Sequence, residues 1–524
     1  MKKYLSLLLL LCSGFAHAQS NTTKGTEFWL AFMENLTLSM NGTPEFSLVI
    51  SSESTTGGLI EFPATGFSIP FNVNAMQATE IYLPQSILYP QGDEAISNTG
   101  LKITSNDSIN VYAYHHRLYF SDATMVLPVN ELSSSCMITA AKDNHNANPS
   151  EMVVLATADS TTIAITPSVL TVSVRPPGVP FYVTLNKGQT FQLQAFDDLS
   201  GTVVAAVDSS KKIATFAGAR QAFIGCGTGA DSHVYDAGYP AMFGNSFVVV
   251  PLLNFGGDPV KILSSADSNL VFINNGPPIF LNRGEFLDTT LNVASFIVAD
   301  KPISVSQFMK SYGCNPNQMG DPNMVVLTPI DLLKIRAIYK NIEGPQNATF
   351  VHNPNHYVNI VTKKSPANAN VTLDGIAITG FQSVTANPQY SYVRLTVASG
   401  DHSIYSPDGF NAFTYDVGDY NATTFHLGYD FKDVPVGIEE HDNDVKSSIY
   451  PNPFTDQTAI TLTGTTTFRE AELLMFSADG KKILQKAFTG NTTTIQRNNI
   501  AAGLYFYVVV TENKVVSRGK VSVY

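Results

Sequence analysis

The chain repeats itself at an interval of roughly 100 residues, too long for a solenoid and right for a whole small β domain. One motif fills Gly100–Pro128, GLKITSNDSINVYAYHHRLYFSDATMVLP: an apolar strand, an Asp-Ser turn, a second strand, a polar loop and a short strand ending in Leu-Pro. Related runs occupy Gly201–Pro251, with GTVVAAVDSSKKIATFAGA, a loop and FVVVP, and Leu291–Pro329, with LNVASFIVADKPISVSQF, a loop and MVVLTP. Ile109, Ile213 and Ile303 are the equivalent positions. A second motif alternates with the first: EFSLVISSESTTGGLIEF from Glu45, EMVVLATADSTTIAI from Glu151, PVKILSSADSNLVFI from Pro259 and HYVNIVTKKSPANANVTL from His356. Ile50, Leu155, Leu263 and Val361 mark its spacing. The pattern predicts about four β modules in tandem.

Composition agrees. Only 14% of the 524 residues are charged, which suits sheets with neutral, hydroxyl-rich faces and argues against long solvent-exposed helices. The formal net charge of −12, with no Lys/Arg cluster, disfavours nucleic acid and anionic membrane as partners. Lys2-Lys3, the apolar run Leu5–Leu11 and Ala16-His17-Ala18 read as a secretory signal over 1–18, cleaved between Ala18 and Gln19. A lipoprotein anchored at Cys12 is the rival reading, opposed by Leu11 where a small residue is required. No other run approaches the length of a transmembrane segment.

Three cysteines follow the signal. Cys226, in AGARQAFIGCG, and Cys314, in VSQFMKSYGCN, hold near-equivalent places in neighbouring modules, whereas Cys136 reads as a buried thiol. A Cys226–Cys314 disulfide requires side-by-side modules, because modules related by translation hold equivalent positions a full module apart unless the array curls. There is no C-x-x-C and no Cys/His cluster, so no metal ligands are assigned.

GTEFWLAFMEN from Gly25 resembles the opening signature of the IgGFc-binding-protein N-terminal domain. The likeness continues through Leu199-Ser200-Gly201-Thr202, Phe216-Ala217-Gly218, Gly320-Asp321-Pro322, His402-Ser403-Ile404 and Gly409–Tyr415, spanning about 24–431. Residues 432–448 are acidic, lack aromatics, and read as a linker. From about 447 the chain is similar to the type A C-terminal sorting domain of the type IX secretion system of Bacteroidota. That likeness rests on Tyr450-Pro451-Asn452-Pro453, the Asp479-Gly480 turn, Gly503-Leu504-Tyr505 and Lys520. It implies Sec export, handling by the type IX machinery at the outer membrane, and delivery to the cell surface or medium.

Catalytic motifs are absent: there is no G-x-S-x-G, H-E-x-x-H or Walker loop. Ser209-Ser210-Lys211-Lys212 satisfies S-x-x-K but lies in a polar turn. Asp197-Asp198 and Glu439-Glu440 read as solvated loop pairs. His115-His116-Arg117, with Tyr119, reads as a loop following a strand and is the candidate binding loop. Asn106-Asp107, Ala158-Asp159, Ala266-Asp267 and Asp321 are turn residues that would suit Ca²⁺ if they converged; no other cofactor is expected.

The expected fold is all-β: a signal peptide (1–18), about four β-sandwich-like modules (19–431), a linker (432–448) and an Ig-like sorting domain (449–524). A propeller-like arrangement of the modules is the alternative. The expected function is a secreted, surface-displayed binding or adhesion protein that is not an enzyme and meets glycan or protein ligands through loops. A glycan hydrolase and a structural envelope protein are the alternatives.

Overall fold

The computed structural model describes residues 22–36, 44–84, 89–226, 232–343, 354–432, 446–463, 471–477, 482–498, 500–511 and 514–524. The expected cleavage site at Ala18-Gln19, the Asp479-Gly480 turn and residues 433–445 of the expected linker lie outside them. The chain forms two compact units, Met1–Asp433 and Val434–Tyr524.

In the first module one long strand, Leu101–His116, serves two sheets. Its first half lies between Gly25–Leu30 and Thr56–Phe62, with Phe67–Val73 beyond. Its second half lies between Glu45–Ser52 and Asp122–Val126, with Gln77–Leu83 beyond. The change of sheet falls at the exposed Asn106-Asp107-Ser108, residues whose side chains favour turns over continued pairing. Before that turn, burial alternates as expected for a strand with one wet face. From Ile109 to His116 every residue is buried, because the second face meets another module.

The same plan recurs three times. In the third module Ser295–Phe308 is the long strand, flanked by Gly244–Val249 and Asn269–Ile273 on one half and Asp258–Ser264 and Met324–Val326 on the other. In the fourth, Gly400–Gly418 pairs with Leu332–Asn341 and Thr372–Leu373, then with Asn355–Thr362 and Asn421–His426. In the second, the turn at Asp208–Lys212 interrupts the strand, so Val203–Ala206 and Ile213–Ala222 share its role. Register repeats as well: Ile109 faces Gly25, Ile303 faces Gly244 and Phe410 faces Lys334, each followed by a register shift in the partner.

The modules do not extend in a line. Their closing strands, Asp122–Val126, Ser232–Ala237, Met324–Val326 and Asn421–His426, touch one another in a cycle, first to second to third to fourth and back to first. The modules therefore pack side by side, as the Cys226–Cys314 pairing requires, with their closing strands in a cycle. The seam between first and last modules is closed by the chain's own start. Thr23 N–H donates to Tyr429 O at 2.8 Å, and Tyr429 N–H donates to Thr23 Oγ1 at 3.1 Å. Tyr114 OH donates to Lys340 O at 3.1 Å, and the buried Lys334 Nζ reaches Asp430 Oδ1 at 3.2 Å and Asn110 Oδ1 at 2.9 Å. Burial pushes Lys334 down to about 8. On Asp430 burial acts in the opposite direction, upward, but Lys334 and Lys24 outweigh it and hold that carboxyl below its usual range.

Each closing strand pairs with its own long strand on one side only, leaving backbone donors that must find partners in the buried ring. Two carboxylates supply them. Asp122 Oδ2 accepts the Tyr235 N–H of the second module at 2.9 Å, and its Oδ1 accepts the Ala123 N–H at 2.8 Å. Asp236 Oδ2 accepts Val326 N–H at 2.8 Å, while its Oδ1 accepts Thr124 Oγ1 of the first module at 2.6 Å and Tyr239 OH at 2.7 Å. Burial drives both carboxyls up, Asp236 to about 7.

The second unit has a three-stranded sheet (Lys446–Tyr450, Gln457–Thr463, Thr492–Gln496) and a four-stranded sheet (Lys482–Phe488, Ala471–Ser477, Gly503–Thr511, Lys514–Val523). Phe454, Leu473, Met475, Tyr507, Val509 and Val521 are buried together in its core. Lys446–Tyr450 pairs throughout its length, so the last residues of the expected linker, 446–448, belong to the first strand of this unit.

Asp122→Ala strands the Tyr235 N–H in the ring interior. At about 1–3 kcal/mol for an orphaned buried donor, we expect a loss of roughly 2 kcal/mol, measured by urea unfolding. A loss below 0.5 kcal/mol would contradict this role for the carboxylate.

Candidate ligand-binding face

The candidate binding loop needs correction. His115 and His116 are the last residues of the long strand, and with Arg117 they are buried. Their outward face is covered by the neighbouring modules: His115 packs edge-on to His233 of the second module at 4.8 Å. His116 stacks on Tyr114 at 5.2 Å, and Tyr114 in turn meets Phe425 of the fourth. Burial, with His233, His116 and Arg117 adding to it, holds His115 well below its ordinary range, and burial alone pushes His116 down to about 4. Neither ring nitrogen of His116 has a hydrogen-bond partner among the described residues. These histidines are core.

Tyr119 differs. It follows the strand in a left-handed backbone conformation (φ 71°) and is half-buried. The loops between long and closing strands come together from all four modules. Tyr119 of the first lies edge-on to Tyr420 of the fourth at 6.1 Å, and Tyr420 stacks on Tyr312 of the third at 3.9 Å. Tyr420 is also left-handed (φ 57°) and is 42% exposed. The corresponding loops of the second and third modules are joined by a Cys226–Cys314 disulfide, with a Cα–Cα distance of 5.4 Å. Reciprocal bonds flank it, Ser311 N–H to Ile224 O and Ile224 N–H to Ser311 Oγ, both at 2.9 Å. Cys136 is a buried free thiol, and burial pushes it up to about 11.

Beside the disulfide, at the boundary of modules two and three, a cleft of about 360 Å³ is lined in part by Lys142, Asp197, Asp198, Gly225, Lys261 and Asp288. Asp197 is exposed and ion-paired to Lys142 at 2.9 Å, but Asp198 is buried against Lys261. Reading both aspartates as solvated therefore holds for only the first. A lysine in mid-strand in PVKILSS was the available sign of a buried charge. Lys261 also lies 3.9 Å from Asp288, so one amine faces both cleft carboxylates.

Other expected sites resolve into turns. Asp159 Oδ1 caps Lys187 N–H and Asp267 Oδ1 caps Arg283 N–H, in equivalent turns of adjacent modules. The calcium candidates do not converge: among the described residues no group of three or more His, Cys, Asp or Glu is placed to hold a metal. Lys211 and Lys212 donate to backbone carbonyls, at Asp159 and Val129 among others.

In the second unit Tyr450 is exposed, and Asn452 ties its loop to the last strand. Asn452 Nδ2 donates to Lys520 O at 3.1 Å and Oδ1 accepts Ser522 N–H at 2.8 Å. Pro451 O accepts Thr458 Oγ1 at 2.6 Å, and Phe454 beyond Pro453 is buried. Tyr505 OH donates to Ala501 O at 2.8 Å, in the turn leading to Gly503-Leu504, and Lys520 Nζ lies 5.8 Å from the Phe506 ring centre. The four residues from Tyr450 and the terminal strand thus form one structural device.

A family described as IgGFc binding protein matches residues 122–415, from the first closing strand into the last long strand. A secretion system C-terminal sorting domain matches 448–523. No curated protein sequence matches. Among solved structures, dimeric latent PorU from Porphyromonas gingivalis is 10% identical with a TM-score of 0.14, covering 59% of this chain and 31% of its own. The FN1–FN3 domains of chicken CNTN1 are 8% identical, TM-score 0.13, covering 54% of this chain and 99% of theirs. A tetra-tandem repeat from the extending region of a large adhesion protein is 10% identical, TM-score 0.12, covering 79% and 95%. The chain spans less than a third of PorU. Among the described residues no helix is long and apolar enough to cross a membrane.

Two outcomes follow. His116 is neutral when folded, with its pKa below the ordinary 6.5. Acidification from there protonates the unfolded chain first, so stability is complete above 6.5 and is lost as pH falls towards 4. His116→Phe, which leaves no partner unpaired, should therefore gain about 2 kcal/mol on wild type between pH 7 and pH 4.5. Asp236, raised in both proteins, acts in the opposite sense and cancels in the comparison. Parallel urea curves at the two pH values would contradict it. Thiol titration of the denatured, unreduced exported protein should find one free thiol, that of Cys136; three would contradict the disulfide.

Proposed function

Because the chain belongs to the IgGFc binding protein family and ends in a secretion system sorting domain, we propose that it is a surface-displayed adhesion protein that grips glycan through the tyrosine-bearing loops of its module ring. The tail marks the chain for export by the type IX secretion system, to the cell surface or the medium. The observation that carries the binding role is the convergence of Tyr119, Tyr312 and Tyr420 from three modules. Tyrosines offer a large, rigid, amphipathic contact area with little rotamer entropy to lose. Loops on a rigid β scaffold are the ordinary place for recognition. Tyr119 and Tyr420 keep a left-handed backbone that costs bulky residues of order 1–3 kcal/mol, and such strain clusters at functional positions. Transit through the oxidising periplasm closes the neighbouring disulfide.

The test is an array of glycans, mucins and immunoglobulin Fc probed with residues 19–436, alongside Tyr312→Ala/Tyr420→Ala. Loss of two aromatic anchors should weaken glycan or mucin binding about tenfold or more, with the fold retained. Equal binding by both proteins would overturn the assignment of this face. Binding confined to unglycosylated protein would overturn glycan as the ligand class.

A further inference from the structure

Independently of any ligand, we propose that Lys261 and Asp198 condense into an amide, an intramolecular isopeptide bond that joins the third module to the second. The two side chains are 4% and 8% exposed and in direct contact. Lys261 Nζ is held by Ala140 O and Ser200 Oγ, each at 3.2 Å, and lies 4.3 Å from the Phe286 ring centre and 5.8 Å from that of Phe308. Asp198 Oδ1 accepts Ser200 N–H at 2.9 Å, which leaves Oδ2 facing the amine. A second carboxylate, Asp288, stands 3.9 Å from Nζ and opens to the cleft, with a side chain 64% exposed.

Amine, carboxyl, oxyanion donor and external proton carrier are thus assembled at one point. Burial makes a charged pair costly because each ion has lost its water, whereas the amide product is neutral. Fixing amine and carboxyl in contact replaces a bimolecular encounter with a favourable effective concentration. Asp288 takes a proton from the ammonium and passes it to Asp198. The neutral Nζ then attacks Asp198 Cγ, and the charge developing on Oδ1 is met by Ser200 N–H. Asp288 carries the second amine proton to Oδ2, which leaves as water. One C–N bond forms and one C–O bond breaks; the sum is ammonium plus carboxylate giving amide plus one water, with no oxidant or co-reactant. The bond would bind the interface that Cys226–Cys314 also spans, and would survive its reduction.

Peptide mapping by mass spectrometry of the reduced, exported full-length ring decides the matter. The expected result is a branched peptide containing Asp198 and Lys261, lighter by one water than its two linear parts. Asp288→Asn keeps the Lys261–Asp198 contact and should reduce the branched product at least tenfold, with circular dichroism unchanged. Lys261→Met removes it entirely. Recovery of only the two linear peptides from wild type would overturn the proposal. Undiminished branching in Asp288→Asn would overturn the role given to Asp288.

Discussion

The ring rests on what happens to unpaired strand edges once they are buried. Each module ends in a short strand whose outer edge faces the interior, where a free N–H has no water to turn to. The solution between the first three modules is side-chain carboxylate rather than further sheet. Asp122 reaches the closing strand of the second module, and Asp236 reaches strands of the first and third. Two carboxyls held far from water are an expensive device, visible in how far burial raises both. The return is registration, since a carboxylate between two strands fixes their offset as a greasy contact cannot. The fourth module is tied differently, through Thr23, Asn110 and Lys334 at the seam and Tyr239 against His426 across the ring.

Much of the fold was legible in the repeats, and the exceptions are instructive. Ile109, Ile213 and Ile303 marked equivalent positions because an Asp-bearing turn precedes an apolar run in each. The two strands expected around that turn are, however, one continuous strand at Leu101–His116 and Ser295–Phe308, and stay separate only in the second module. The fourth escaped because the turn there reads Ser406-Pro407-Asp408-Gly409 and Phe410 takes the isoleucine's place. His115-His116-Arg117 looked like a loop because polar residues at a strand end ordinarily meet solvent. They are buried because another module lies on them, and local sequence carries no sign of that. The same blindness applied to Asp198, whose partner Lys261 is on another module. Curling was likewise invisible, since the residues that close the seam stand at opposite ends of the ring sequence. The sorting unit read more fully: Asn452 bonds the strand that carries Lys520, so residues noted separately in sequence meet in space.

Closure organises the binding proposal as well. Hairpin loops far apart in sequence meet only because the array curls, which brings Tyr119, Tyr312 and Tyr420 within stacking range and Cys226 within reach of Cys314. A linear array would offer single tyrosines; the ring offers a surface. Covalent fastening of the boundary between modules two and three would keep that surface from opening.

Small-angle X-ray scattering on residues 19–432 tests ring closure most directly. The unit has its own buried cores and is separable from the tail. A closed, compact unit of this length should have a radius of gyration of about 22 Å. Four modules strung end to end would give about 40 Å, and such a value would contradict the account.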